Sequence, residues 1–354
     1  MTAVHVVVPD GIDDPARPSG GNTYDRRVCD GLTALGWSIH EHPVEGDWPH
    51  PDRPALAALD GVVRGIPDGA LVLLDGLVAS TAPDVLVPHA RRLRLVALVH
   101  MPLGHRPGAG AVDDVRDRER AVLAAGAAVI TTSAWARRRL TELYAVAADH
   151  VHVAEPGVDP ADLVPGTAAG SALLCVAAVT ADKGHDVLVD ALAATADLSW
   201  RCVCVGSLDR DPALVDELQR RRQEVGLEER VCFTGPRTGA DLDHTYAAAD
   251  LVLLASRAET YGMVVTEALA RGLPVLAADV GGLTEALGHG ANCNRPGLLV
   301  PPDDAPAFAA ALRAWLSDAE LRARLRRAAR ERRQSLRPWS ATATDIAGVL
   351  GRVS

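Results

Sequence analysis

Residues 251–282 read LVLLASRAETYGMVVTEALARGLPVLAADVGG, and their punctuation decides the fold. The apolar run LVLLAS at 251–256 is too short for a helix and fits a strand covered on both faces. A loop carrying Glu259 follows it. Gly262 suits a tight turn, 263–271 reads as a helix, Gly272 stops it, and Pro274 opens a second apolar run, PVLAADV. Strand, helix and strand in this order make a βαβ unit with parallel strands. Glu259 then lies in the loop at the C-terminal end of a strand. Glu267 lies about one turn into the helix. Eight steps along a helix leave two side chains roughly 80° apart, so the carboxylates are not a one-face pair.

Working outward, the same alternation recurs along the chain. Strand-like runs stand at 3–9, 37–44, 70–76, 93–100, 128–133 and 150–156, with helical patterns between most of them. One such helix, 23–35, is closed by Gly36. The stretch PGVDPADLVPGTAAGS at 156–171 reads as a linker. Beyond it the alternation restarts, with strands at 171–179, 200–206, 230–235 and 251–256 and helices near 185–195, 212–225 and 240–249. The expected architecture is α/β, with two doubly wound Rossmann-like domains, 1–160 and 170–336, facing a cleft. Ligand is expected at the C-terminal ends of their strands. A last helix, 340–354, follows Pro338 and is expected to pack back onto the first domain.

Bulk properties narrow the classes. A chain of 354 residues exceeds one comfortable core, and 48% hydrophobic content is ample for two. No run reaches the roughly 18 apolar residues of a membrane span. The start MTAVHVVVPDG reads as a strand and lacks the charged and long apolar regions of a signal peptide, so a cytoplasmic location is expected. Six cysteines (Cys29, Cys175, Cys202, Cys204, Cys232 and Cys293) form no C-x-x-C and read as buried reduced thiols. A net charge of −10 argues against wholesale nucleic-acid binding. The eight arginines of 321–337 read as a solvated helix face, with weak contact to an anionic membrane surface as the other reading. Lys183 is the single lysine among 36 basic residues.

The helix start at Gly262 and Met263 offers backbone N–H groups to an anion without any side chain. Carboxylates accept from hydroxyls and helix-start amides donate to phosphate oxygens, so a sugar beside a phosphate suits Glu259 and Glu267. The spacing alone equally fits two surface or capping glutamates. Gly20 and Gly21 in PSGGNTYDRR precede a helix and permit close approach of a phosphate or acceptor. They do not make G-x-G-x-x-G, so a nicotinamide oxidoreductase fits badly. Asp209 and Asp211 form a D-x-D, but Asp211 is a ready helix cap before Pro212. No H-E-x-x-H, Cys-cluster or G-x-S-x-G motif is present.

The segment SRAETYGMVVTEALARGLPVLAADVGGLTE resembles the signature of the retaining glycosyltransferases of family 4, which have the two-domain GT-B fold. Glu259 and Glu267 match its E-x7-E pair, and Ala270, Gly272, Pro274 and Val275 match the A-x-G-x-P-V that follows. The resemblance extends to VITTSAWARRRL, PGVD, VTADKGHDVLVDAL and TYAAADLVLLAS. It implies that Glu267 binds the nucleotide ribose, Glu259 holds a donor-sugar hydroxyl, and Gly262 and Met263 lie beside them. It further implies that Lys183 neutralises the donor diphosphate and His100 lies near the donor sugar. Gly20 and Gly21 then form the loop that meets phosphate and acceptor. Ser133 also matches a family position, though a helix cap explains it, and His105 is a weaker candidate than His100. One departure stands out: the family arginine five or six residues before the lysine is replaced by Ala178 and Ala177. Arg257 and Arg237, both in loops after strands, are the candidate substitutes.

The expected activity is therefore retaining, metal-independent transfer of a sugar from a nucleotide diphosphate-sugar to a hydroxyl or amine. The acceptor is a small molecule, glycan or lipid, and no cofactor is implied beyond the donor substrate. The alternative is a noncatalytic nucleotide-sugar-binding protein on the same frame. Nucleobase, sugar, acceptor and oligomeric state are set by features the sequence does not expose.

Overall fold

The computed structural model describes residues 2–105, 112–290 and 294–354. The chain divides into two compact units, one of residues 1–14, 19–157 and 337–354, the other of residues 15–18 and 158–336. Each is a six-stranded sheet with helices around it.

In the first unit the strands are β1 (Ala3–Pro9), β2 (Ser38–Val44), β3 (Leu71–Asp75), β4 (Arg94–Val99), β5 (Ala128–Thr131) and β6 (Val151–Val153). Its helices are α1 (Gly20–Ala34), α2 (Arg53–Gly65), α3 (Gly76–Ala79), α4 (Pro83–His89), α5 (Val112–Ala125) and α6 (Ala134–Tyr144). The order β2-β1-β3-β4-β5-β6 is parallel throughout and reverses direction between β1 and β3. One face buries Val7, Leu59, Leu74, Leu86 and Leu140, and the other buries Val6, Val28, Leu32, Ile130 and Ile346. The continuous apolar strands follow from this two-sided cover, since a side chain on either face meets a helix. Each fully buried Leu or Ile contributes about 1.5–3 kcal/mol.

In the second unit the strands are β7 (Ala172–Val176), β8 (Arg201–Val205), β9 (Val231–Phe233), β10 (Leu251–Leu254), β11 (Val275–Ala278) and β12 (Gly297–Val300). Its helices are α7 (His185–Ala193), α8 (Pro212–Glu224), α9 (Gly239–Ala247), α10 (Met263–Ala270), α11 (Leu283–Leu287), α12 (Ala305–Ser317) and α13 (Ala319–Arg333). The order β12-β11-β10-β7-β8-β9 is again parallel, and it reverses direction between β7 and β10. Several helices start on one device, an aspartate cap with proline in the first turn: Asp52, Asp211 and Asp304 each accept from a backbone N–H three residues on.

The last helix, α14 (Trp339–Val353), belongs to the first unit and lies against α1. The two backbones approach closely at Gly31, where an added Cβ would come within 2.5 Å of Ala343 Cβ.

Three readings from the sequence change. The stretch 156–171 is no free linker. Its Ala161, Thr167, Ala168 and Gly170 carbonyls accept from Arg333, Arg326, Arg322 and Trp315, and buried Asp250 accepts from the Thr167 N–H and hydroxyl. The arginines at 322, 326, 332 and 333 are thereby tied to carbonyls or to Asp250, so much of the basic stretch is structural rather than a solvated or membrane-facing row. Of the thiols, Cys29, Cys175, Cys202 and Cys204 are buried and free, whereas Cys232 is exposed because β9 is an edge strand. Cys293 lies outside the described residues.

Candidate active site

In the second unit the reversal of strand order brings the loops after β7 and β10 side by side. A 3₁₀ turn at Ala181–Lys183 ends on Gly184, whose φ is +64°. An added Cβ at Gly184 would meet Ala255 O at 2.0 Å, so this turn packs directly on the end of β10. That approach joins two residues 76 apart in sequence: Lys183 Nζ donates to Glu259 Oε1 at 2.7 Å. Ser256 Oγ donates to the same oxygen at 3.0 Å. Both partners are mostly buried, with 22% and 14% of their side chains exposed. Burial works against the Lys183 charge, but the charges of Glu259 and Asp182 raise its pKa above the usual lysine value.

The backbone of this loop is held by glycines. Gly281, at φ +58°, would place a Cβ 1.6 Å from Glu259 O, and Gly282 would place one 2.1 Å from Thr260 O. Gly262 caps α10 at φ +89°, and an added Cβ there would strike Leu283 Cδ2 at 2.3 Å. Met263 opens the helix and packs against the adjoining apolar cluster. Glu267, one turn on, accepts from Tyr246 OH at 2.8 Å. Burial raises its carboxyl above the usual range, against the pull of Tyr246 and the Arg271 charge. Glu259 and Glu267 thus sit in different surroundings, one paired with a cation and one with a phenol.

Neither candidate substitute for the absent arginine is free. Arg257 grips Asp186 with two bonds, at 2.6 and 2.9 Å, and also donates to Asp303 and to the Ala181 carbonyl. Arg237 donates to Thr245 Oγ1 at 2.7 Å. Ala177 lies against Gly206, where an added Cβ would come within 2.0 Å of its carbonyl oxygen. Asp211 caps α8, and among the described residues Asp209 and Asp211 join no cluster of three metal-ligating groups.

In the first unit Gly20 and Gly21 are the first residues of α1 rather than a loop before it, with Ser19 as the cap. His100 follows β4 and packs on Gly21, where an added Cβ would lie 3.3 Å from His100 Cδ2. His100 Nε2 lies 2.7 Å from Asp25 Oδ1 and 3.5 Å from Asp75 Oδ2. The separation of 2.7 Å is that of a hydrogen bond. Sequence reasoning missed both aspartates. Asp75 carried a signal, as a carboxylate closing the apolar strand LVLLD. Asp25 looked like an ordinary polar helix residue. Ser133 caps α6, and His105 accepts from Arg139 and packs on Trp135, so neither is held for ligand alone.

Residues 170–332, nearly the whole second unit, match the family described as glycosyl transferases group 1. The second unit belongs to that family. This bears out the resemblance carried by 256–285. The chain's relatives include the D-inositol 3-phosphate glycosyltransferase of Jonesia denitrificans, 35% identical over 254 residues, covering 66% of this chain and 59% of that protein. A protein of the same name from Stackebrandtia nassauensis is 34% identical over 251 residues, covering 66% of this chain and 56% of that one. The chain thus matches little more than half the length of these curated relatives. Among solved structures, sucrose-phosphate synthase from Thermosynechococcus elongatus has a TM-score of 0.79 at 23% identity, covering 99% of both chains. Anabaena HepE in complex with UDP-glucose has a TM-score of 0.75 at 20% identity, covering 99% of this chain and 100% of that one. The fold of the chain is that of GT-B glycosyltransferases.

Proposed function

We propose that the chain is a retaining glycosyltransferase that uses a nucleotide diphosphate-sugar and needs no metal ion. The observation that carries the reading is the Lys183–Glu259 pair at the strand-order reversal of a group 1 unit. A lysine ammonium is a compact charge on a flexible stem and can exchange a carboxylate for a diphosphate oxygen. Once Lys183 turns to phosphate, Glu259 is released to accept from a sugar hydroxyl. Glu267 takes the ribose, and the α10 amides beside Gly262 and Met263 supply further donors. The family resemblance assigns His100, Gly20 and Gly21 of the first unit to the donor sugar and phosphate. The diphosphate leaves, the acceptor attacks from the same face, and the leaving phosphate takes its proton. The sequence offers no evident carboxylate nucleophile for a double displacement. Buried reduced thiols suit a reducing compartment such as the cytoplasm.

The curated relatives act, by name, on an inositol phosphate, so a phosphorylated polyol is the first acceptor to try. The experiment is transfer from UDP- and GDP-sugars to such acceptors, with the anomeric configuration of the product read by NMR. Retention supports the reading and inversion rejects its mechanism. A second reading, a noncatalytic nucleotide-sugar binder, is favoured by Ala177 and Ala178 and by the commitment of Arg257 to Asp186. Tight donor binding with no nucleotide diphosphate released under any acceptor would select it.

A further inference from the structure

Two buried carboxylates and an imidazole meet in the first unit, and their contacts constrain where protons sit. Asp25 comes from α1, Asp75 from the end of β3, and His100 from the residue after β4. Gly76 makes the meeting possible: an added Cβ there would lie 2.8 Å from Leu98 O and 3.0 Å from Val99 Cα. Both aspartates are buried, at 3% and 5% exposure, while the His100 side chain keeps 18%. Asp75 spends Oδ1 on the Leu77 N–H at 2.7 Å and turns Oδ2 toward His100. With both carboxylates ionised and His100 charged, the buried cluster would hold one uncompensated negative charge. One proton shared by the aspartates removes it.

We propose that Asp25 and Asp75 are positioning residues that share one proton and thereby keep His100 a charged hydrogen-bond donor. Nε2–H of His100 is committed to Asp25, so the imidazolium form leaves Nδ1–H as a donor as well. Neutral His100 with the same Asp25 bond would instead carry an accepting Nδ1. The pair therefore decides the sign of what His100 offers to an oxygen ligand. Burial and then the Asp25 charge push the Asp75 carboxyl up to about 8. For His100 burial opposes the charge, but Asp25 and then Asp75 outweigh it and push it up to about 9. The other groups packed here are the Tyr24 ring, edge-on to His100 at 5.2 Å, and the Cys29 thiol. Tyr24 in turn feels Asp345 and Arg337. Burial pushes Cys29 up to about 12 and Tyr24 well above its ordinary value, so both stay neutral and leave the account unchanged.

The use of the charge on a donor sugar rests on the proposed function, whereas the charge itself does not, so the test reads the proton directly. The His100 ring is followed by NMR through a pH titration, its signals assigned by their loss in His100→Gln. The expected midpoint in the parent is about 9. In Asp25→Asn it falls by about one unit or more, because the larger carboxylate contribution is lost and Asp75 alone opposes burial. In Asp75→Asn, which imitates the protonated acid, it stays above about 8. A parent midpoint at or below about 7 overturns the proposal by itself, even if Asp25→Asn fails to fold. So does an unchanged midpoint in Asp25→Asn. Where transfer is measurable, the alkaline limb of kcat/KM moves down with the Asp25→Asn midpoint; an unmoved limb removes the positioning role.

Discussion

Lys183 and Glu259 show why single residues carry so much of this account. The lysine was legible because it is the one lysine in an arginine-rich chain and stands in a matching motif. Its partner was legible as a family glutamate, but not as an ion pair, since 76 residues separate them. Truncating Lys183 leaves mostly buried Glu259 with the Ser256 hydroxyl, and truncating Glu259 leaves mostly buried Lys183 with Asp182 at 3.9 Å, so effects on both stability and transfer are expected. We expect Lys183→Ala and Glu259→Ala each to lower kcat by about 10²–10³, the scale of removing one positioned charge-stabilising group. Rates within threefold of the parent in both variants would remove the site assignment. Arg257→Ala should act differently, as it frees Asp186 and Asp303 rather than a ligand contact. Its expected signature is a lowered melting temperature with donor KM nearly unchanged. A large rise in donor KM would make Arg257 the missing diphosphate group. Asp25 was illegible because neither residue type nor spacing tells α1's buried face from its exposed one, whereas Asp75 showed only as a carboxylate closing an apolar strand.

At the scale of elements, short apolar runs fixed the parallel strands, and glycine and proline marked most helix ends. Strand β12 escaped because four residues, GLLV, give no period to count. The docked stretch 156–171 escaped because its anchors, Trp315 and the α13 arginines, lie about 150 residues onward. Those anchors make one prediction, and the close approach at Gly281 makes another. Arg326→Ala leaves Asp250, wholly buried, with fewer partners and should cost about 2 kcal/mol, read as a lower denaturation midpoint. An unchanged midpoint would show that the Thr167 N–H and hydroxyl and the Ala172 N–H satisfy Asp250 without Arg326. Gly281→Ala forces a Cβ into the Glu259 carbonyl at a positive φ and should displace that loop. Donor binding should weaken tenfold or more, and calorimetry against the parent checks it.

For the whole molecule, the buried cluster in the first unit sets a pH dependence of stability. The folded His100 sits at about 9, above the ordinary 6.5, so its contribution is full below 6.5 and is lost as pH rises through 9. The folded Asp75 sits at about 8 against 3.8, so the folded state holds its proton longer and stability also falls between those values. Both act in one direction. Melting temperature should therefore decline from pH 6.5 to 9, and decline less in Asp75→Asn; a flat profile in the parent would contradict the assignment. The class of fold was readable from alternation alone, because two-sided burial writes strands and crossovers into the hydrophobic pattern. The acceptor was not, since it is chosen by loop shapes that no periodicity encodes.

The most direct measurement is calorimetric titration of nucleoside diphosphates and their sugars into the parent and Lys183→Ala. The account predicts saturable binding of at least one diphosphate nucleotide by the parent, weakened at least tenfold in the variant, with the free nucleoside indifferent to the change. Absence of binding by the parent at millimolar ligand, or equal affinity in both proteins, would contradict it.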